Sequence, residues 1–84
     1  MIPEKLLEEL HKGVVTIVYE KLDTGKLRTM PCTLNKDVAM METTITKQQF
    51  KNEVILVFAL DKRAWRDVRV NTIKEWYTGY PNNL

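Results

Sequence analysis

Residues 54–60 form an unbroken run of seven apolar side chains. A run of that length suits a strand buried on both faces better than a helix. Asp61, Lys62 and Arg63 then interrupt it, as a turn would. From Trp65 onward the chain alternates, with Arg66, Val68 and Val70 on one side and Trp65, Asp67 and Arg69 on the other. Period two is the signature of a strand with one wet face. A hairpin is therefore predicted over residues 54–70, holding the longest apolar run and all arginines but Arg28.

The rest of the chain supplies partners for that hairpin. Residues 2–12 predict a short helix. Ile2, Leu6 and Leu10 recur every four residues with Leu7 beside them, giving one apolar stripe. Pro3 suits the first turn, Glu4 the positive end of the helix dipole, and His11 and Lys12 the negative end, before Gly13 stops the helix. Residues 14–21 are rich in β-branched side chains, so a strand is predicted there. Asp23, Thr24 and Gly25 signal a turn, and residues 27–34 return as a second strand with Met30, Cys32 and Leu34 on one face. Pro31 cannot donate to a ladder, which predicts an edge or a bulge at that point.

Residues 35–53 have no clean period and are expected to form an excursion between strands two and three. Thr46 with Gln49 predicts one capped helical turn, and residues 42–46 a short strand. After the hairpin, the apolar phase moves by three from Val70 to Ile73, as a single 3₁₀ turn between two strands would produce. Residues 73–77 complete the set, and residues 78–84 are expected to fray. Leu6, Leu10, Ile17, Met30, Leu34, Leu56, Phe58, Val68, Val70 and Ile73 are the expected core.

Composition narrows the class. The 84 residues make one domain, 1–84. Residues 1–42 carry six basic and seven acidic groups, and residues 43–84 seven basic and four acidic, so the positive end belongs to the hairpin. The lone Cys32 excludes an internal disulfide, and with His11 as the single histidine it makes no zinc site. A reduced, cytoplasmic setting is expected. No segment reaches the ~18 apolar residues of a membrane span, and no secretion signal is read at the N-terminus.

The order helix, hairpin, excursion, hairpin, tight turn, strand is that of an N-terminal helix followed by a small five-stranded Sm-like, SH3-type barrel, a mainly β (α+β) fold. Gly13-Val14-Val15, then Gly25 with residues 28–35 (RTMPCTLN), then Trp65-Arg66, Val68-Arg69-Val70 and Ile73 sharpen this. They resemble a family of short WYL-like proteins with an Sm-type barrel, found mostly in bacteriophages. The resemblance covers residues 5–76, with the excursion unmatched. It implies a phage accessory protein in the host cytoplasm. The Trp-Tyr-Leu tripeptide of the larger WYL group is absent, since Trp76-Tyr77 is followed by Thr78. Ligand binding proposed for true WYL regulators is therefore not carried over.

Two binding surfaces are candidates. Lys62, Arg63, Arg66, Arg69 and Lys74 lie within residues 62–74 with Trp65 interleaved and Asp67 as the one acid before Lys74. Cations around an aromatic are a means of holding phosphates while stacking a base, so this set predicts single-stranded RNA or DNA binding. The plainer reading is a solvated hairpin whose charges are paired by Asp61, Asp67 and Glu75. Trp76, Tyr77 and Tyr80 form the second candidate, an aromatic surface for a protein partner if exposed. Core packing is the plainer reading for both tryptophans. His11 reads as charge compensation at a helix end and Cys32 as a small buried hydrophobe. No paired carboxylates, metal loop or phosphate loop is present, so an enzyme is not expected, nor a cofactor. The expected function is a non-enzymatic module binding a host protein and modulating host machinery. The alternative is single-stranded nucleic-acid binding, and a homo-oligomer fits either.

Overall fold

The computed structural model describes residues 4–42 and 53–81. Its elements are α1 (Glu4–Lys12), β1 (Val15–Glu20), β2 (Leu27–Thr33), α2 (Lys36–Ala39), β3 (Val54–Ala59), β4 (Ala64–Arg69), a 3₁₀ turn (Val70–Thr72) and β5 (Ile73–Thr78). The strands form one antiparallel sheet in the order β4-β3-β2-β1-β5. This is the expected helix and five-stranded, small-barrel arrangement, with the sheet left open between β4 and β5.

α1 buries Leu6 and Leu10 against Val15, Ile17, Met30, Cys32 and Leu34. Its last carbonyls lack helical partners, as at any helix end, and the end of β2 supplies them. The Leu34 N–H donates to the Leu10 carbonyl at 2.9 Å. The Thr33 hydroxyl donates to the Gly13 carbonyl at 2.7 Å, and the Asn35 Nδ2 to the His11 carbonyl at 3.0 Å. The Asn35 Oδ1 in turn accepts from the Asp37 and Val38 N–H groups, capping α2. One side chain thus fastens the end of α1 to the start of α2.

Two expectations about strands meet different outcomes. β2 as a whole lies between β1 and β3, but the part holding Pro31 is where its pairing to β3 stops, which is the local edge expected. The β2–β3 ladder pairs only Cys32 with Ala59 and Thr33 with Phe58. The Pro31 carbonyl accepts from the Leu60 N–H at 2.9 Å. In an antiparallel strand the N and C=O of one residue point to the same side. The missing donor therefore falls where this ladder ends, and no central hydrogen bond is lost.

The phase of β3, by contrast, is opposite to the expected one. Ile55, Val57 and Ala59 are fully buried in the core, facing Val68, Arg66 and Ala64 across the hairpin. Leu56 is half-buried on the outer face. Phe58 shares that face and is buried there by other means, described below. Val70 and Ile73 are half-buried at the seam rather than central. Leu6, Leu10, Ile17, Met30, Leu34 and Val68 are core, as expected.

Within the expected excursion, residues 36–39 are the helical turn α2, while the turn after Thr46 and most of the strand at 42–46 lie outside the described residues. At the C-terminus Thr78 closes β5 instead of opening a tail. The Gly79 N–H donates to the Val14 carbonyl at 2.8 Å, and its carbonyl accepts from the Thr16 hydroxyl at 2.7 Å.

Candidate functional site

The basic set divides. The β3–β4 turn presents Lys62 in solvent, with no partner among the described residues. Arg63 follows at φ +52°, a left-handed conformation that ends the turn and sends its side chain back over the hairpin. Its Nη2 donates to the Ala39 carbonyl at 2.8 Å, and the guanidinium lies over the Phe58 ring. The Trp65 ring meets Phe58 edge-on, with centroids 5.5 Å apart and planes at 77°. Phe58, Trp65 and Arg63 form a small outer cluster closed by α2, and Trp65 is half-buried in it.

Arg69 shares the outer face with Trp65, four residues further along β4. It is exposed and borders an open groove of about 460 Å³ walled by Tyr19, Leu22, Val54, Asp67 and Thr72. Arg66 lies on the opposite, core-facing side, as its pairing with Val57 requires. It is half-buried, and its Nη1 donates to the Trp65 carbonyl at 3.2 Å. Lys74 stands on β5, where its Nζ is 3.8 Å from the Glu20 carboxylate. The structure therefore brings Arg63 and Trp65 together, sets Arg69 on the same face at the far end of β4, and puts Arg66 and Lys74 elsewhere.

The acids do not pair as a solvated hairpin would have them. Asp61 makes a double contact with the Arg28 Nη2, at 3.1 and 3.2 Å, tying the turn to β2. Asp67 and Glu75 have no ion-pair partner among the described residues.

Nor do the three expected aromatics share a patch. Trp76 pairs with Ile17 and faces inward, whereas Tyr77 pairs with Thr16 and faces outward. Tyr80 lies beyond Gly79 and is 52% exposed. Trp76 with Leu6, Val70 and Ile73 floors a second groove of about 450 Å³ along β5, flanked by Lys74 and Glu75. What sequence reasoning missed is that β4 and β5 are both edge strands. The order of strands in a sheet leaves no local signal, and only the resemblance pointed toward it.

Cys32 is fully buried, with its thiol donating to the Val15 carbonyl at 3.3 Å. Burial, with a smaller push from the Asp61 carboxylate, raises it from 9.0 to about 12. A thiol held protonated is a poor nucleophile. Among the described residues no group of three or more His, Cys, Asp or Glu side chains is arranged to hold a metal ion. No described helix is long and apolar enough to cross a membrane.

A family model described as WYL_2, Sm-like SH3 beta-barrel fold, matches residues 3–74. That is most of the chain, and the chain belongs to this family. No curated protein and no solved structure matches.

Proposed function

We propose that this member of the WYL_2 family is a small, non-enzymatic phage accessory protein that binds a host protein in the host cytoplasm and modulates host machinery. The observation that carries the reading is the open sheet. β4 and β5 each end the sheet with one side unpaired among the described residues. A free strand edge is a row of main-chain donors and acceptors, and it invites pairing with another chain. The groove floored by Leu6, Val70, Ile73 and Trp76 and flanked by Lys74 and Glu75 lies along one of those edges and offers a place for a partner's side chain. The phage and host elements of the proposal rest on the family resemblance alone.

Single-stranded nucleic acid is the second reading, favoured by Lys62 and Arg69, whose side chains face solvent with no partner among the described residues. It is weakened by Trp65, which is half-buried against Phe58, and by the engagement of Arg63 with Ala39. Capture from host lysate, with and without nuclease, separates the two. The proposal expects a protein retained equally in both arms. Loss of all capture after nuclease would hand the function to nucleic acid.

A further inference from the structure

We infer that the free edge of β4 receives an extended peptide strand carrying two acidic residues three positions apart, one held by Arg66 and the other by Arg69. This rests on the protein-binding reading above and names the chemistry of the partner.

β4 pairs with β3 along its whole length and has no strand on its other side among the described residues. Every second residue of such a strand points its N–H and C=O outward. That spacing fits another main chain and does not fit a phosphodiester backbone.

Charge then selects the occupant. The Arg69 carbonyl accepts from the Thr72 hydroxyl at 2.6 Å, but the Arg69 guanidinium makes no hydrogen bond or ion pair among the described residues. Among the described residues the Arg66 guanidinium donates only to the neighbouring Trp65 carbonyl, so most of its donors are left for a ligand although the side chain is half-buried. A half-buried cation without an acid is costly, and a carboxylate beside it recovers that cost.

Parity fixes the spacing. Positions 66 and 69 differ by an odd number, so the two arginines lie on opposite faces of the sheet. Residues directly opposite them on an added strand are also three apart and also on opposite faces. Asp67 disfavours an acid opposite it, while Val68 and Trp65 favour apolar residues opposite them. The resulting pattern is acid, apolar, non-acid, acid, apolar. The β5 edge of a second copy fits it poorly, because Glu75 is its single acid and follows Lys74 directly. An oligonucleotide matches the charge but not the alternation.

Fluorescence anisotropy on the full chain tests this with labelled peptides of valine and threonine. One carries two glutamates three apart, a second two glutamates two apart, and a third two lysines. The first should bind about 2–5-fold tighter than the second, the size of one exposed ion pair, and the third not at all. Methylating the peptide amides that face β4 should abolish binding, and methylating those that face away should not. Arg69→Gln should weaken the first peptide about 2–5-fold and leave the second, placed at Arg66, nearly unchanged. Arg69 is exposed, so this variant folds, and the methylated peptides need no variant. Equal binding of the first two peptides, or of both methylated forms, overturns the inference. Absence of peptide binding with nuclease-resistant capture of a lysate protein also overturns it while the protein-binding reading stands. Single-stranded DNA binding tighter than any peptide overturns both.

Discussion

The Arg63 guanidinium sits over the Phe58 ring, 5.1 Å from its centroid, while the Trp65 edge meets the same ring from the side. Phe58 therefore becomes buried on the outer face of the sheet without belonging to the main core. Arg63 does this from a strained left-handed backbone and also holds the Ala39 carbonyl at the end of α2. Its role in the fold is that of a clasp. Arg63→Ala should cost about 1–3 kcal/mol, from a lost charged hydrogen bond and a cation–π contact. Urea denaturation checks this, and an unchanged midpoint would remove the clasp.

The phase of β3 gives a second test. Ile55 is fully buried opposite Val68, whereas Leu56 is half-buried on the other face. Ile55→Ala should cost about 2–5 kcal/mol, the range for a large-to-small core change. Leu56→Ala should cost clearly less. Equal costs would mean that both faces of β3 are packed alike.

That phase marks where sequence reasoning ended. β4 announces its phase because Arg66, Val68 and the residues between them alternate. β3 is apolar at every position, so nothing local distinguishes its two faces, and the register with β4 decides. Pro31 did carry a local signal. A proline excludes a ladder bond on one side only, and here that side lies at the ladder's end. The helix, the turns at Gly25 and Val70–Thr72, and the strand count were legible because each has its own local chemistry. The candidate site was only partly legible. Sequence neighbours at 62–74 are divided between two faces and two edges, and periodicity resolved only the Arg66/Arg69 split.

Asn35 links two helices through the two ends of one amide. Asn35→Asp keeps an acceptor for the Asp37 and Val38 N–H groups but removes the donor to His11. Asn35→Ala removes both. Thermal or urea unfolding should rank them wild type, then Asp, then Ala, with the alanine cost about 1–2 kcal/mol. An aspartate as stable as wild type would show that the contact to α1 contributes nothing.

Cys32 predicts a pH dependence. Its folded value, about 12, lies above the ordinary 9.0 because the buried thiolate is poorly solvated. Above pH 9 the unfolded chain releases this proton while the folded chain keeps it. The unfolded state then binds fewer protons, so stability is whole below pH 9 and falls between 9 and about 12. The slope approaches ~1.4 kcal/mol per pH unit. Urea midpoints of wild type and Cys32→Ala, compared at rising pH, isolate this from other titrating groups. Parallel curves would contradict it.

Two open edges on one chain also allow copies to add to one another. Light scattering should give a mass that rises above the monomer with concentration and falls back when the acidic peptide occupies β4. A monomer mass at every concentration would remove self-association.

Amide hydrogen exchange, read residue by residue, tests the binding edge most directly. In the free, dilute chain the outward amides of β4 and β5 should exchange quickly, and those of β1 and β2 slowly. On adding the protein captured from nuclease-treated lysate, alternate amides of Ala64–Arg69 should gain protection while those between, already paired to β3, change little. Protection confined to other elements, with the β4 amides still exchanging as in the free chain, would contradict docking on this edge.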